Sequence, residues 1–360
     1  MDPTPGLSSL EAGVSGTTAW AGCVVSNPEY VDGDVTFTFT ATDGSHTTTA
    51  TYNIGGYETY AYVENVTLRT AKTYNVTASC VATNGTTVYS DSTTVSTETG
   101  SGVMPSESWL ELPAIPNASA YPNANEYKIS SSGERNYTHY YDTSTYTTLW
   151  VAYPLESKHM GNLDRPSSWS YNPQISTSYQ VDLRSHSYSD SYSRGHLIPN
   201  GSRNGINAMQ LQTFYVTNSV PQIQNNFNGG IWNSLEQALQ SIAKRETIYI
   251  VTGVAFNKVG ETKSISYTTA KDDSGKKVPI PNYFYKVALK VKTNSSGTVT
   301  SASTIGFWFE HKTYSDSYTN YAVSVDQIET WTGFDFFANL PDAIEASAEA
   351  NKLWTTFQNF

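Results

Sequence analysis

The sequence predicts a multidomain chain, with an all-β sandwich in front and a mixed α+β domain behind. Three observations carry this. The 360 residues exceed one ordinary domain. Residues 17–99 alternate apolar and polar residues in short runs separated by turn signals, whereas beyond residue 120 strand-like runs are interspersed with helix-like ones. Between them, residues 97–120 hold three prolines and a Gly-Ser-Gly, the composition of a linker. The boundaries that follow are 1–99 for the sandwich, 100–120 for the linker and 121–360 for the second domain.

In the front domain, strands are expected from Trp20 to Val25, Val35 to Ala41, Thr47 to Asn53, Tyr60 to Val66, Tyr74 to Ala82 and Thr87 to Ser96. Asp43-Gly44, Gly55-Gly56 and Asn84-Gly85 supply turns. Leu68, followed by Tyr74 on a strand that puts Val76, Ala78 and Cys80 on one face, resembles the corner of fibronectin type III domains, which implies an immunoglobulin-like sandwich. In the second domain, strands are expected at 146–154, 247–254, 283–291 and 298–309, and helices at 231–244, 325–332 and 341–353. Ile231, Leu235, Leu239 and Ile242 recur at three- and four-residue spacing, so the first of these helices turns one stripe toward a core. Asn228-Gly229-Gly230 reads as its start signal.

Hydrophobic residues at 38% and aromatics at 13% suffice for ordinary cores, and a charged fraction of 15% with 26 Tyr suits a β-rich, extracellular type of chain. No apolar run approaches the ~18–20 residues that span a bilayer. The opening Met-Asp-Pro-Thr-Pro-Gly is unlike a signal peptide, so the chain is read as secreted or cell-surface with a signal already removed. Cys23 and Cys80 fit either a bridge across the sandwich in an oxidising compartment or two buried thiols. The net charge of -11 is unevenly spread. Residues 1–104 carry ten acids against Arg69 and Lys72, whereas residues 121–360 carry twenty acids and nineteen bases. The second domain is therefore free to gather cations around one cleft, without a broad basic surface for tight duplex binding.

The chemistry concentrates in Tyr192-Ser-Arg-Gly-His196-Leu-Ile-Pro199, Thr213-Phe-Tyr-Val-Thr-Asn218-Ser-Val-Pro-Gln222 and Asn228-Gly-Gly-Ile-Trp-Asn-Ser-Leu-Glu236. An arginine two residues before a histidine sets a phosphate clamp beside a titratable base, and Gly195 permits close backbone approach. Amide and acidic oxygens at a helix start suit a hard cation. Base, clamp and cation are the parts of metal-assisted phosphodiester hydrolysis. Read without the rest, a lone Arg-Gly-His is a weak signal, and its plain reading is a strand end with a satisfied histidine.

Taken together, these segments resemble the DNA/RNA non-specific endonucleases of the ββα-metal (His-Me finger) type, the endonuclease G-like family. Its signature runs Asp-Arg-Gly-His, then Ser/Thr-Asn-x-x-Pro-Gln, then Asn-x-Gly-x-Trp-x-x-Leu-Glu. Further matches are Leu149–Tyr153, Val251–Val254, Ile280–Lys286, Val325–Gly333 and Leu340–Asp342, so the resemblance covers about residues 121–358. It implies an α+β ββα-metal nuclease domain acting on DNA and/or RNA through the phosphate backbone, with Mg²⁺ or Mn²⁺ as cofactor. It implies His196 as general base, Asn228 as the direct metal ligand and Glu236 as a carboxylate holding metal-bound waters. Arg194 and Arg165 become phosphate contacts, and Asn218 the amide that supports the site.

Two positions depart from the family. Ser193 replaces the motif Asp, and Gln240 stands where several relatives place an arginine. A Ser hydroxyl still accepts a hydrogen bond, so activity is expected to survive. His139, His159, His186 and His311 match no catalytic position and are read as surface or hydrogen-bonded structural residues, and His46, beside Ser45 and Asp43 in a Thr-rich turn, as part of a solvated loop. The Tyr-rich run from Tyr137 to Tyr146 is read as structural, in preference to a base-stacking surface. The competing readings are a catalytically weakened nuclease fold used to bind nucleic acid or another ligand, and a carbohydrate-binding surface protein led by the sandwich, whose partner the sequence does not name.

Overall fold

The computed structural model describes residues 4–15, 18–56, 58–69, 72–97 and 106–360. It divides into two compact units, Met1–Gly102 and Val103–Phe360.

The first unit holds two antiparallel sheets. One has strand order β1 (Gly6–Ser15), β2 (Thr18–Ser26), β5 (Tyr60–Thr67). The other runs β4 (Thr47–Asn53), β3 (Val31–Ala41), β6 (Thr73–Ala82), β7 (Thr87–Tyr89), and β8 (Thr93–Ser96) also pairs with β6. Alternation buries one side of each strand. Ala19, Ala21 and Cys23 of β2 and Ala61 and Val63 of β5 meet Phe37 and Phe39 of β3 and Val76 and Ala78 of β6 in one core. Tyr74 is buried at the strand entry, and its hydroxyl accepts the Arg69 backbone N–H at 2.9 Å and lies 2.9 Å from His46 Nδ1. β1 escapes the sequence pattern because Ser8, Ser9 and Gly13 dilute its alternation. Cys23 and Cys80 are both buried free thiols, and burial, reinforced by nearby Cys80, pushes Cys23 up to about 11.

The second unit is built on a seven-stranded antiparallel sheet, ordered β19 (Ala322–Val323), β18 (Val299–Glu310), β17 (Tyr283–Thr293), β14 (Ile248–Ala255), β11 (Thr147–Leu155), β10 (Glu134–Asp142), β9 (Ala124–Ser131). Both faces are covered, which is why β11 is buried at every position. On one face Val151, Tyr153, Ile250 and Phe284 pack against Trp232 and against Leu235, Leu239 and Ile242 of helix α2 (Asn233–Ala243). Each such side chain contributes roughly 1.5–3 kcal/mol by burial. On the other face Trp150, Tyr285 and Leu289 meet Val325 and Ile328 of α3 (Val325–Thr332), together with Phe334 and Phe336. α1 (Asn207–Gln212), α4 (Asp342–Glu349) and α5 (Trp354–Asn359) are short; the helix expected to reach residue 353 stops at Glu349.

Two ribbons sit outside the large sheet: β12 (Ser193–His196) with β13 (Ser219–Gln222), and β15 (Tyr267–Ala270) with β16 (Asp273–Pro279). The second ribbon has no counterpart among the expected strands. The expected linker also needs correction over its described part. Leu112 and Ile115 are buried in the second unit's core, Ala114 bridges Asp335, and Asn339 Nδ2 donates to the carbonyls of Glu107 and Trp109 at 2.8 Å each. Residues 98–105 lie outside the described residues.

Candidate active site

The ribbon β12–β13 carries His196 at its end. Ser193 pairs with Gln222, Arg194 with Pro221, Gly195 with Val220 and His196 with Ser219. A Cβ on Gly195 would lie 2.6 Å from Gln222 Cβ, so the close pairing requires glycine there. His196 ends the strand with its ring against Trp169 (centroids 4.6 Å apart) and Phe214 (4.9 Å). Its Nε2 is buried with no hydrogen-bond partner among the described residues. Burial first, then the charges of Arg165 and Arg194, hold the imidazole at about 3, against a weaker pull upward from a hydrogen bond to the Arg194 backbone. The ring is therefore neutral at ordinary pH, as a proton acceptor must be.

The same two aromatic rings seat the arginines. The Arg194 guanidinium lies 5.0 Å from the Trp169 centroid and donates to the Leu183 carbonyl at 2.7 Å. The Arg165 guanidinium lies 4.9 Å from the Phe214 centroid. Neither has a carboxylate partner among the ion pairs of the described residues, so an anion arriving between them displaces no resident one.

Asn228 lies in a wide helical turn, Gln224–Trp232, that leads into α2 and is kinked at Asn226 (φ 59) and at Gly230. Its Nδ2 donates to Ser193 Oγ at 3.2 Å and to Gln224 Oε1 at 3.1 Å. Both amide hydrogens are thus taken, and Oδ1 is left without a protein donor among the described residues. Ser193 Oγ in turn donates to the Gln222 carbonyl at 2.9 Å. The serine that replaces the motif acid therefore fixes the orientation of the amide.

Arg165, Arg194, His196, Asn228 and Glu236 line one cavity of about 860 Å³, which Gln237, Gln240 and Lys271 also line. Asn218 does not reach it. That amide is buried behind, accepting Ile198 N–H at 3.0 Å and donating to the carbonyls of Ile198 (3.0 Å) and Thr213 (2.8 Å), so it braces the chain that follows His196. Glu236, expected as a carboxylate that holds metal-bound waters, lines the cavity but is largely enclosed. Only 12% of its side chain is exposed, and Oε1 lies 3.3 Å from Nζ of the buried Lys286. Lys286 also donates to Thr252 Oγ1 at 2.9 Å and lies 4.3 Å from the Trp232 centroid. Burial raises the Glu236 pKa and lowers that of Lys286, and each charge partly restores the other. A lone cation within the apolar run Tyr283–Leu289 was the available sequence signal for Lys286. Lys271, at the tip of the β15–β16 ribbon, had none.

The remaining histidines have local partners: Thr148 and Asn172 for His139, Glu134 for His159, Asp272 for His186. His311 Nε2 accepts the Ile223 N–H at 2.9 Å while Nδ1 faces the Pro281 carbonyl, pinning the start of the turn that carries Asn228. Arg203 is buried, donating to the Asn136, Pro154 and Ser202 carbonyls. A separate trio of carboxylates, Asp326, Glu329 and Glu349, lies within 4.8 Å of one another but lines no part of the cavity.

Residues 116–343 match the family described as DNA/RNA non-specific endonuclease. The chain belongs to that family. Among relatives of this DNA/RNA non-specific endonuclease family member, a nuclease of Nostoc sp. is 28% identical over 217 residues, covering 58% of this chain and 74% of the relative. The mitochondrial endonuclease G of Caenorhabditis elegans is 28% identical over 272 residues, covering 69% and 85%. Human mitochondrial nuclease EXOG is 26% identical over 223 residues, and the match spans 59% of each protein. A solved structure of EndoG in complex with EndoGI superimposes with a TM-score of 0.50 at 20% identity, over 61% of this chain and 89% of that one. That likeness concerns the fold of the second unit. The family is one of hydrolytic enzymes, and the first unit lies outside the matched residues. Among the described residues no helix is long and apolar enough to cross a membrane.

Proposed function

We propose that this protein is a metal-dependent, sequence-non-specific endonuclease that hydrolyses phosphodiester bonds of DNA and/or RNA. One observation carries the reading: among the described residues, a neutral histidine with an unpartnered Nε2 shares a cavity with two arginines that have no carboxylate ion-pair partner and with an amide whose N–H groups are both engaged, leaving its oxygen without a protein donor. His196 takes a proton from the attacking water. Arg165 and Arg194 hold the phosphate, and contact to the backbone alone leaves base sequence unread. Asn228 Oδ1, oriented through Ser193 and Gln224, fits a hard cation, Mg²⁺ or Mn²⁺, and Glu236 would hold that ion's waters. When bound, the ion supplies charge stabilisation to the phosphate and to the departing 3′ oxygen. A neutral ligand leaves the ion's charge undiminished. Asn218 and His311 position the chain on either side.

The same proposal takes the first unit as an immunoglobulin-like sandwich, on the strength of its two facing sheets and the Tyr74 corner, and residues 121–360 as the catalytic domain. It also takes the protein to act outside the cell or on its surface, a reading that rests on composition. The test is digestion of plasmid DNA and of structured RNA, with and without EDTA, beside His196→Ala. Cleavage that needs divalent metal and falls at least ~10² in the variant, the lower end of general-base contributions, is the expected result. Binding of nucleic acid without metal-dependent cleavage would instead support a catalytically weakened fold that serves as a receptor.

A further inference from the structure

The outer face of the β1–β2–β5 sheet carries an unusual row of rings. Trp20, Tyr60 and Tyr62 are 38%, 44% and 39% exposed, although the strands that hold them bury Ala19, Ala21, Cys23, Ala61 and Val63 on the opposite side. Cross-strand pairing fixes their arrangement: Gly13 faces Trp20, Glu11 faces Gly22, Gly22 faces Tyr62 and Val24 faces Tyr60. The glycines let the rings lie down. A Cβ on Gly13 would sit 2.6 Å from Trp20 Nε1, and one on Gly22 would collide with the Tyr60 ring and hydroxyl. Trp20 and Tyr60 therefore rest over bare backbone and remain open to solvent. Carboxylates stand on the same face, Glu11 at one side and Glu64 at the other, where Tyr62 donates to Glu64 Oε2 at 3.0 Å. The three strands contain no lysine or arginine.

We propose that this face binds a neutral, β-linked polysaccharide. An aromatic face carries negative charge density, which attracts the weakly positive C–H face of a pyranose ring, and an extended β-linked chain repeats that face along its length. Carboxylates beside the rings accept hydrogen bonds from sugar hydroxyls. The charge on the face selects against the alternatives. Stacked nucleic acid bases need a cationic track for the backbone, and here the face and its unit, ten acids against two bases, repel a polyanion. A second copy docked face to face would bring the carboxylates of one copy toward those of the other, with no cation on the three strands to offset them. A protein anchor needs a pocket for an inserted side chain, whereas these rings offer a plane.

The test uses the full chain on microcrystalline cellulose, on chitin, and on soluble mixed-linkage β-glucan in affinity electrophoresis, with heparin as the anionic comparison. Wild type is retained by at least one neutral polysaccharide and not by heparin. Trp20→Ala lowers that affinity at least tenfold, about 1.4 kcal/mol. Gly22→Ala, which removes no aromatic but lifts Tyr60 from the plane, lowers it as well. Cleavage of plasmid DNA and thermal unfolding stay at wild-type values in both variants, so loss of fold is separated from loss of binding. Retention by none of the three polysaccharides, equal retention of Trp20→Ala and wild type, or stronger retention by heparin overturns the proposal. None of these outcomes depends on whether the second unit cuts nucleic acid.

Discussion

Lys286→Met tests whether the buried Lys286–Glu236 pair is held by charge. The lysine side chain is 1% exposed, and its ammonium lies 3.3 Å from a carboxylate that is itself nearly enclosed. Removing one partner of a buried pair costs about 3–5 kcal/mol, because the other charge stays behind without compensation. Here the cost has a ceiling, since Glu236 can escape by taking up a proton. From an unfolded value of about 4.3, neutralising it at pH 7 costs about 4 kcal/mol, and at pH 5 only about 1 kcal/mol. In the variant the folded pKa lies above the unfolded one, so the folded state binds more protons through that window and stability falls as pH rises. At about 2–4 °C per kcal/mol for a unit of this size, the melting temperature drops by about 8–16 °C at pH 7 and by a few degrees at pH 5. Seven of the eight tryptophans lie in the second unit, so tryptophan fluorescence reports its unfolding. The double variant Glu236→Met with Lys286→Met should melt near wild type and lack nuclease activity. Equal losses at the two pH values would show that the lysine acts by packing, and would refute the argument.

Other expectations follow from the same geometry. Asn228→Ala should abolish cleavage at ordinary Mg²⁺ concentrations, while Glu236→Gln should raise the Mg²⁺ needed; a metal titration of the rate gives the order, and its reversal exchanges the two roles. His139, fully buried and held at about 3, is neutral when folded, so between pH 6.5 and about 3 the unfolded chain binds the extra proton. Its stabilisation is complete above pH 6.5 and is lost at about 1.4 kcal/mol per pH unit as pH falls, a slope that urea unfolding should find reduced in His139→Gln. A chain starting at Ser106 should fold and cut nucleic acid within severalfold of the full protein. One starting at Pro113 loses the buried Leu112 and should melt measurably lower, since such a deletion costs about 2–5 kcal/mol.

The parts legible in the sequence were those written in a local code. The period-3.6 stripe of α2, the alternating strands of the first unit and the motif residues around His196 and Asn228 all announce themselves within a dozen positions. Contacts made over long separations did not. Lys286 is fifty residues from Glu236, and nothing nearby says that this first of the three lysines in β17 points at α2. The packing of Leu112 and Ile115 was hidden behind prolines and glycines, which mark a linker only where no core lies within reach. The role of Ser193 was half visible: its chemistry as an acceptor could be stated, but not that the donor would be Asn228.

The arginines stacked on Trp169 and Phe214 have a consequence for the histidine between those rings. Their positive field is one reason the ring releases its proton so readily. A phosphate seated against both guanidiniums cancels part of that field, and the proton affinity of His196 rises. Binding of the anion and binding of the proton are thermodynamically linked, so each strengthens the other by the same factor. With His196 as the proposed base, the ring is a weak proton acceptor until a phosphate is seated, and the phosphate's own charge makes it a stronger one.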